Sequence, residues 1–332
     1  MADAPLLEVA HLSKHFALGG GILARPKAWV QAVDDVSFSV AAGETFGLVG
    51  ESGCGKTTLG HLILRLADPT AGTIRFMGRD IGGLSRSQMR PLRSRMQIIF
   101  QDPYSSLDPR MRVEDIITEP LKAAGSAGPS DRRDLAAELL ARVGLQPADA
   151  KKFPHEFSGG QRQRIGIARA LSVHPDLVVA DEPVSALDVS IQAQVINLLE
   201  ALQAELGLAY VFISHDLSVV CHICDRIAVM YLGRIVERAP REIFRSSPRH
   251  PYTRALLAAV PMPDPRRGAS SATMTGDVPD PVDPPSGCRF HPRCPYCFRR
   301  CTEEQPPLVD IGPEHALACW HGEGRGIVAE LP

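Results

Sequence analysis

The residues from Gly50 to Thr57 read GESGCGKT, a G-x-x-x-x-G-K-[ST] pattern. That spacing suits a loop that wraps a triphosphate. Its glycines let backbone N–H groups turn inward, and the N-terminus of a following helix adds positive potential. Lys56 would reach the outer phosphates, and Thr57 would offer its hydroxyl to Mg2+. A chance glycine-rich turn is the plain alternative, and it weakens if the loop follows a strand and opens a helix.

Further along, LVVADEP spans Leu177 to Pro183. An Asp at the end of an apolar strand can hold Mg2+ directly or through water, and an adjacent carboxylate can polarise an attacking water. Asp181 and Glu182 fit those roles, and the apolar run before them argues against a casual pair of surface carboxylates. In FSGGQ, from Phe157 to Gln161, Ser158 is suited to cap a helix over Gly159 to Leu171 whose N-terminus would accept an anion. Taken alone, Ser-Gly-Gly is also an ordinary helix cap. His215 stands just after the apolar YVFIS and before Asp216, a more pointed position than a lone histidine usually has.

Positioning these groups requires strands that end beside one another. Glu44 to Val49 reads as a strand and Lys56 to Leu66 as a helix, so the glycine loop joins the two. Met96 to Phe100, Leu177 to Ala180, Tyr210 to Ile213 and Arg226 to Tyr231 are further strand candidates alternating with helical patterns. The class is therefore α/β with a mostly parallel sheet. Between Asp102 and Phe157 only helical patterns appear, Val113 to Ala123 and Asp131 to Val143, which predicts a helical insert over about 102–160. Residues 261–287 are proline-rich and divide a body of 1–260 from a cysteine-rich region within 261–332.

Composition narrows the class of function. The 332 residues include 36 basic and 38 acidic side chains, a balance that gives no sign of a nucleic-acid partner. The basic stretch RSQMRPLRSR, Arg86 to Arg95, lacks interleaved aromatics and reads as a solvated face. No apolar run approaches the roughly 20 residues that span a bilayer, and MADAPLLEVAHLSKHF lacks the layout of a signal peptide. A cytosolic chain that meets membranes through partners is expected.

Together these motifs resemble the nucleotide-binding subunit of an ABC transporter, over nearly all of Leu7 to Val260. The resemblance implies a P-loop NTPase with a RecA-like core, an antiparallel β subdomain and a helical subdomain. It assigns Gly50, Glu51, Ser52, Gly53, Cys54, Gly55, Lys56, Thr57 and Thr58 to ATP, and Thr57, Gln101 and Asp181 to Mg2+. Glu182 becomes the general base, Gln101 the contact to the attacking water, His215 the switch histidine, and Ser185 to Asp188 a dimer-contacting loop. Phe16 is the aromatic expected to stack on adenine, with Trp29 its rival. Ser158, Gly159, Gly160 and Gln161 would serve the ATP of a second subunit paired head to tail.

VGESGCGKTT, FQDPYSSLDPR and HPYTRALLAAVP are similar to the dipeptide, oligopeptide and nickel permease group, where this chain looks like the second ATPase of a pair. The partners implied are two transmembrane permease subunits, a second ABC ATPase and, indirectly, a solute-binding protein, with the chain peripheral on the cytoplasmic face of the cell (inner) membrane. A soluble ABC ATPase of translation or DNA repair is the rival, disfavoured by the single ATPase unit.

Five of the eight cysteines, Cys288, Cys294, Cys297, Cys301 and Cys319, lie in the tail. In a reducing compartment metal binding is the leading chemical reading of that concentration. The resemblance matches Cys288, Cys294, Cys301 and Cys319 to a four-cysteine set that in some members holds a 4Fe-4S cluster; zinc and free thiols are the alternatives. Cys221 and Cys224 are expected in the core. Cys54 is expected to be inert in the chemistry yet open to alkylation without nucleotide.

Overall fold

A computed structural model of the chain describes residues 4–19, 27–125, 128–259 and 276–322. Residues 20–26 and residues 261–275 of the proline-rich segment lie outside the described residues.

Strands β1 (Leu7–Leu18) and β2 (Ala28–Val40) pair antiparallel, with register shifts that bend β1 midway. Strand β3 (Thr45–Val49) is buried at every position and leads through the glycine loop into α1 (Lys56–Ile63). That helix stops short of Leu66, because Arg65 turns to a φ of 52°. Strands β4 (Ala71–Phe76) and β5 (Arg79–Asp80) complete a four-stranded antiparallel sheet in the order β2-β1-β4-β5. Next come α2 (Arg86–Arg93), capped by Ser85 and Gln88, and β6 (Met96–Ile99).

The helical insert contains α3 (Val113–Ile117), α4 (Glu119–Ala124) and α5 (Pro129–Arg142). The expected single helix over Val113 to Ala123 is broken at Thr118, just before Pro120, which cannot donate to the preceding turn. The chain then continues as α6 (Gly159–Leu171), β7 (Leu177–Asp181), α7 (Val189–Leu206), β8 (Ala209–Ser214) and α8 (Leu217–Ile223). It proceeds through β9 (Arg226–Tyr231), β10 (Arg234–Pro240), α9 (Arg241–Ser246) and α10 (Pro251–Ala258). The tail adds α11 (Arg299–Glu303), β11 (Val309–Gly312) and β12 (His315–Leu317).

The main sheet runs β11-β12-β10-β9-β3-β8-β7-β6. Its pairs from β9 through β6 are parallel, while β10, β12 and β11 add on antiparallel. Strands buried on both faces explain the unbroken apolar runs in the sequence. Val178, Ala180, Tyr210 and Phe212 face the core shared with the helical insert and α7. Leu177, Val179, Val211 and Ile213 face the core beneath the antiparallel sheet, where Phe38 stacks on Phe46 at 4.6 Å. The basic stretch is more than a solvated face: Arg95 holds Asp176 at 2.6 and 2.8 Å, and Arg90 donates to the Ala123 carbonyl at 2.6 Å.

Candidate nucleotide site

The glycine loop sits at the C-terminal end of β3, where a parallel sheet offers a crevice. Gly55 caps α1 with φ 106°, and a Cβ there would lie 1.9 Å from the Ala32 carbonyl oxygen. A Cβ on Gly50 would lie 2.2 Å from the Met230 oxygen, so both signature glycines are demanded by close backbone approach. The first turn of α1 carries no acidic residue, which leaves its orphan N–H groups suited to an anion. Lys56 is 4% exposed, and its Nζ donates to the carbonyls of Gly50 at 2.7 Å and Glu51 at 2.9 Å. Cys54 lies buried under the loop, its Sγ 3.7 Å from that ammonium. Burial pushes its thiol up against the opposing pull of Lys56. The expectation that Cys54 is open to alkylation is therefore corrected, since the loop folds the thiol inward rather than toward solvent.

The loop forms the floor of a cleft of about 730 Å3, lined also by Phe16, Val30, Ala32, Gln101, Glu182 and His215. Phe16 pairs with Val30 across β1 and β2, and both face this cleft. Trp29, next to Val30, alternates to the other side and is not among the lining residues. Four lining residues were not legible in the sequence: Val30 and Ala32 of β2, Leu256 of α10 and Pro281 of the tail. Pro281 accepts a hydrogen bond from the Gln31 amide at 3.2 Å, which fixes the tail beside β2.

Strand β7 ends at the buried Asp181 and delivers the next residue, Glu182, to the cleft. Thr57 Oγ1 donates to Asp181 Oδ1 at 3.0 Å, so a hydroxyl and a carboxylate meet at one point, oxygen donors of the kind Mg2+ takes. Burial pushes the Asp181 carboxyl up, opposed by the Thr57 hydrogen bond. Glu182 has φ 45°, a left-handed conformation that costs a non-glycine residue about 1–2 kcal/mol. Its amide is held by the Ile213 carbonyl at 2.9 Å. Its Oε2 accepts from Gln101 Nε2 at 2.9 Å and lies 3.2 Å from His215 Nδ1. Two residues from separate loops thus converge on one oxygen of this carboxylate.

Ser158 caps α6, its Oγ accepting from the Gln161 amide while Gln161 Oε1 accepts from the Ser158 amide. A Cβ on Gly160 would lie 2.4 Å from Ile191 Cγ2. Ser158, Gly159, Gly160 and Gln161 do not line the cleft of their own chain. The fold brings the other predicted groups together and leaves these four apart.

In the tail, Cys288, Cys294, Cys301 and Cys319 line one small enclosed cavity with His250, His291 and His321. Burial pushes the Cys288 thiol up to about 11 and the Cys294 thiol up to about 12. The donor types suit a soft metal, yet among the described residues no group of three or more His, Cys, Asp or Glu is placed to hold a metal ion. Cys297 is exposed and does not line this cavity. Cys221 and Cys224 are buried in the core, as expected.

A phosphate loop after β3, paired carboxylates at the end of β7 with β8 between the two strands, and a sheet of this order define a nucleotide-hydrolysing cassette. Residues 33–185 match the ABC transporter family, and residues 236–301 match the oligopeptide/dipeptide transporter C-terminal region. The chain is 54% identical over 96% of its length to the "Probable peptide ABC transporter ATP-binding protein y4tS" of Sinorhizobium fredii, covering 90% of that protein. It is 51% identical to the oligopeptide transport ATP-binding protein AppF of Bacillus subtilis, covering 95% of this chain and 96% of the other. Among solved structures it is similar to the dimeric ATP-binding cassette MJ0796 in a post-hydrolysis state bound to ADP and Pi. There the TM-score is 0.64 and the identity 27%, over 71% of this chain and 98% of that one. The structure of cbiO1 from Clostridium perfringens matches with a TM-score of 0.62 and 26% identity, over 73% of this chain and 91% of that one. The chain belongs to the ABC transporter ATP-binding family and is an ABC-type ATPase.

Proposed function

We propose that this ATPase powers an importer for dipeptides, oligopeptides or a related small solute. It would act peripherally at the cytoplasmic face of the cell membrane, with two transmembrane permease subunits, a second ABC ATPase and a solute-binding protein as partners. The tail match and the peptide-transport names of relatives support the cargo class. No helix among the described residues is long and apolar enough to cross a membrane, which fits a chain that borrows its membrane-spanning part.

The observation that carries the mechanism is the convergence of Gln101 and His215 on Glu182 Oε2. Both neighbours fix the carboxylate, which leaves Oε1 to take the proton of an attacking water. Lys56 would exchange the carbonyls of Gly50 and Glu51 for phosphate oxygens, and the amides from Gly53 to Thr58 would cradle the chain of phosphates. Thr57 and Asp181, with Gln101 at the edge, would hold Mg2+. Bound there, the ion would offset charge on the transferred phosphoryl group. Phe16 would stack on adenine. Ser158, Gly159, Gly160 and Gln161 would close over the ATP of a second subunit, a role supported by their exclusion from their own cleft.

For the tail, we propose a soft-metal site held by Cys288, Cys294, Cys301 and Cys319, as a 4Fe-4S cluster or as zinc. Their donor chemistry and shared cavity support this reading, which requires the thiols to draw together from where this structure places them. Anaerobic purification should give brown protein for a cluster or a colourless zinc protein; colourless protein free of metal would overturn both.

The test of function is to trap the Glu182→Gln chain with ATP in its own cells and identify what is recovered from detergent-solubilised membranes. Two multi-spanning permeases and a second ATPase support the importer. Ribosomal or DNA-repair proteins without a permease would overturn it in favour of the soluble ABC ATPase reading.

A further inference from the structure

The stretch Gly50 to Thr58 contains one carboxylate, Glu51, and the tail ties it down. Arg293 Nη1 donates to Glu51 Oε2 at 2.7 Å, and Nη2 donates to Oε1 at 3.1 Å, a bidentate pair across 242 residues of sequence. Arg293 is 8% exposed. Its guanidinium also lies 3.5 Å from the Tyr231 hydroxyl. Arg289, four residues earlier, fastens the same segment: it donates to the Leu232 carbonyl, to Gln31 Oε1 and to Asp34 Oδ2. The tail therefore reaches the phosphate loop through a buried cation held in a set position.

We propose that Arg293 is a positioning residue for ATP binding. It neutralises Glu51 and draws its carboxylate aside from the amides that receive the phosphates. Glu51 lines the cleft. An unpaired carboxylate there would repel a polyanion in a site partly screened from water, and it would be free to compete for Lys56. A bidentate guanidinium suits this task better than an ammonium, because its fork holds both carboxylate oxygens at once.

The inference rests on Gly50 to Thr58 being the nucleotide site, and the experiment separates the two. Equilibrium binding of MgATP to the full chain is measured calorimetrically, together with melting temperature, for Lys56→Ala, Arg293→Gln, Arg293→Lys and the pair Arg293→Gln/Glu51→Gln. Lys56→Ala tests the site itself: unaltered binding there would sink the site assignment. With that control abolishing binding, Arg293→Gln should raise the Kd about tenfold, and the double variant should return within about twofold of wild type. Rescue by removing a second charge is not what a merely structural prop would give. A Kd unchanged in Arg293→Gln, or a double variant as weak as the single one, overturns the proposal. If Arg293→Gln does not fold, Arg293→Lys replaces it, with an expected weakening of about threefold and an unchanged Kd as the overturning result.

Discussion

The hydroxyl oxygen of Tyr252 accepts a hydrogen bond from the amide of Glu51 at 2.9 Å, joining α10 to the phosphate loop across 201 residues of sequence. Tyr252 is fully buried against Tyr231 and Phe290, with ring centroids at 4.7 and 5.4 Å. Tyr252→Phe keeps that packing and leaves a part-buried amide without its partner, at a cost of about 1–3 kcal/mol. Denaturant unfolding should show that loss, and ATP binding should weaken with it; unaltered stability would mean that water or another acceptor replaces the hydroxyl.

Gly55 tolerates no side chain. Its φ of 106° and the 1.9 Å approach to the Ala32 carbonyl predict that Gly55→Ala loses ATP binding. The parallel control is Gly53→Ala, where the added Cβ meets nothing within 4 Å and only the φ of 79° is strained. Its expected cost is about 1–2 kcal/mol, with binding weakened rather than lost. Equal behaviour of the two would remove the steric argument.

Cys297 is the exposed thiol of the chain's described part, and Cys54 is buried with a raised thiol. Alkylation of the native protein followed by peptide mass spectrometry should modify Cys297 at least about tenfold faster than Cys54, with or without ATP. Rapid labelling of Cys54 in the nucleotide-free protein would show the loop opening in solution.

Glu237 is buried, with His315 Nε2 at 3.0 Å and the amides of Arg249 and His250 at 2.8 and 3.0 Å. Burial works to raise its carboxyl, and these hydrogen bonds outweigh it, so the folded value lies below the ordinary 4.5. A depressed folded value contributes stability above about pH 4.5, lost as pH falls through the folded value. Unfolding curves between pH 7 and 3 should therefore fall less steeply for Glu237→Gln than for the wild type. Parallel curves would contradict that role.

The residues proposed for the chemistry were legible because each motif is local: a glycine loop needs its strand and helix within a few residues. Five central strands were legible for a related reason, since burial on both faces leaves continuous apolar runs. β1 and β2 were harder, because bulges interrupt their alternation. Tyr252 and Arg293 touch the loop, and Pro281 reaches the cleft through Gln31, only by pairings across two hundred residues or more, and nothing in their local sequence records those contacts. The cysteines announced a cluster through their concentration, and four of them do share a cavity, but their spacing does not encode the placement of the thiols around a metal.

β12 lies against β10, and Glu237 of β10 receives His315 from β12. During synthesis the segment through β10 leaves the ribosome before β12 exists, so for that interval β10 is an open edge carrying a carboxylate without its imidazole partner. Completion of the main sheet therefore waits until the segment through β12 has been translated. A chain halted near residue 300 would hold every motif of the ATP site and still display an unpaired strand to its neighbours, which makes premature termination an aggregation hazard rather than a simple loss of the tail.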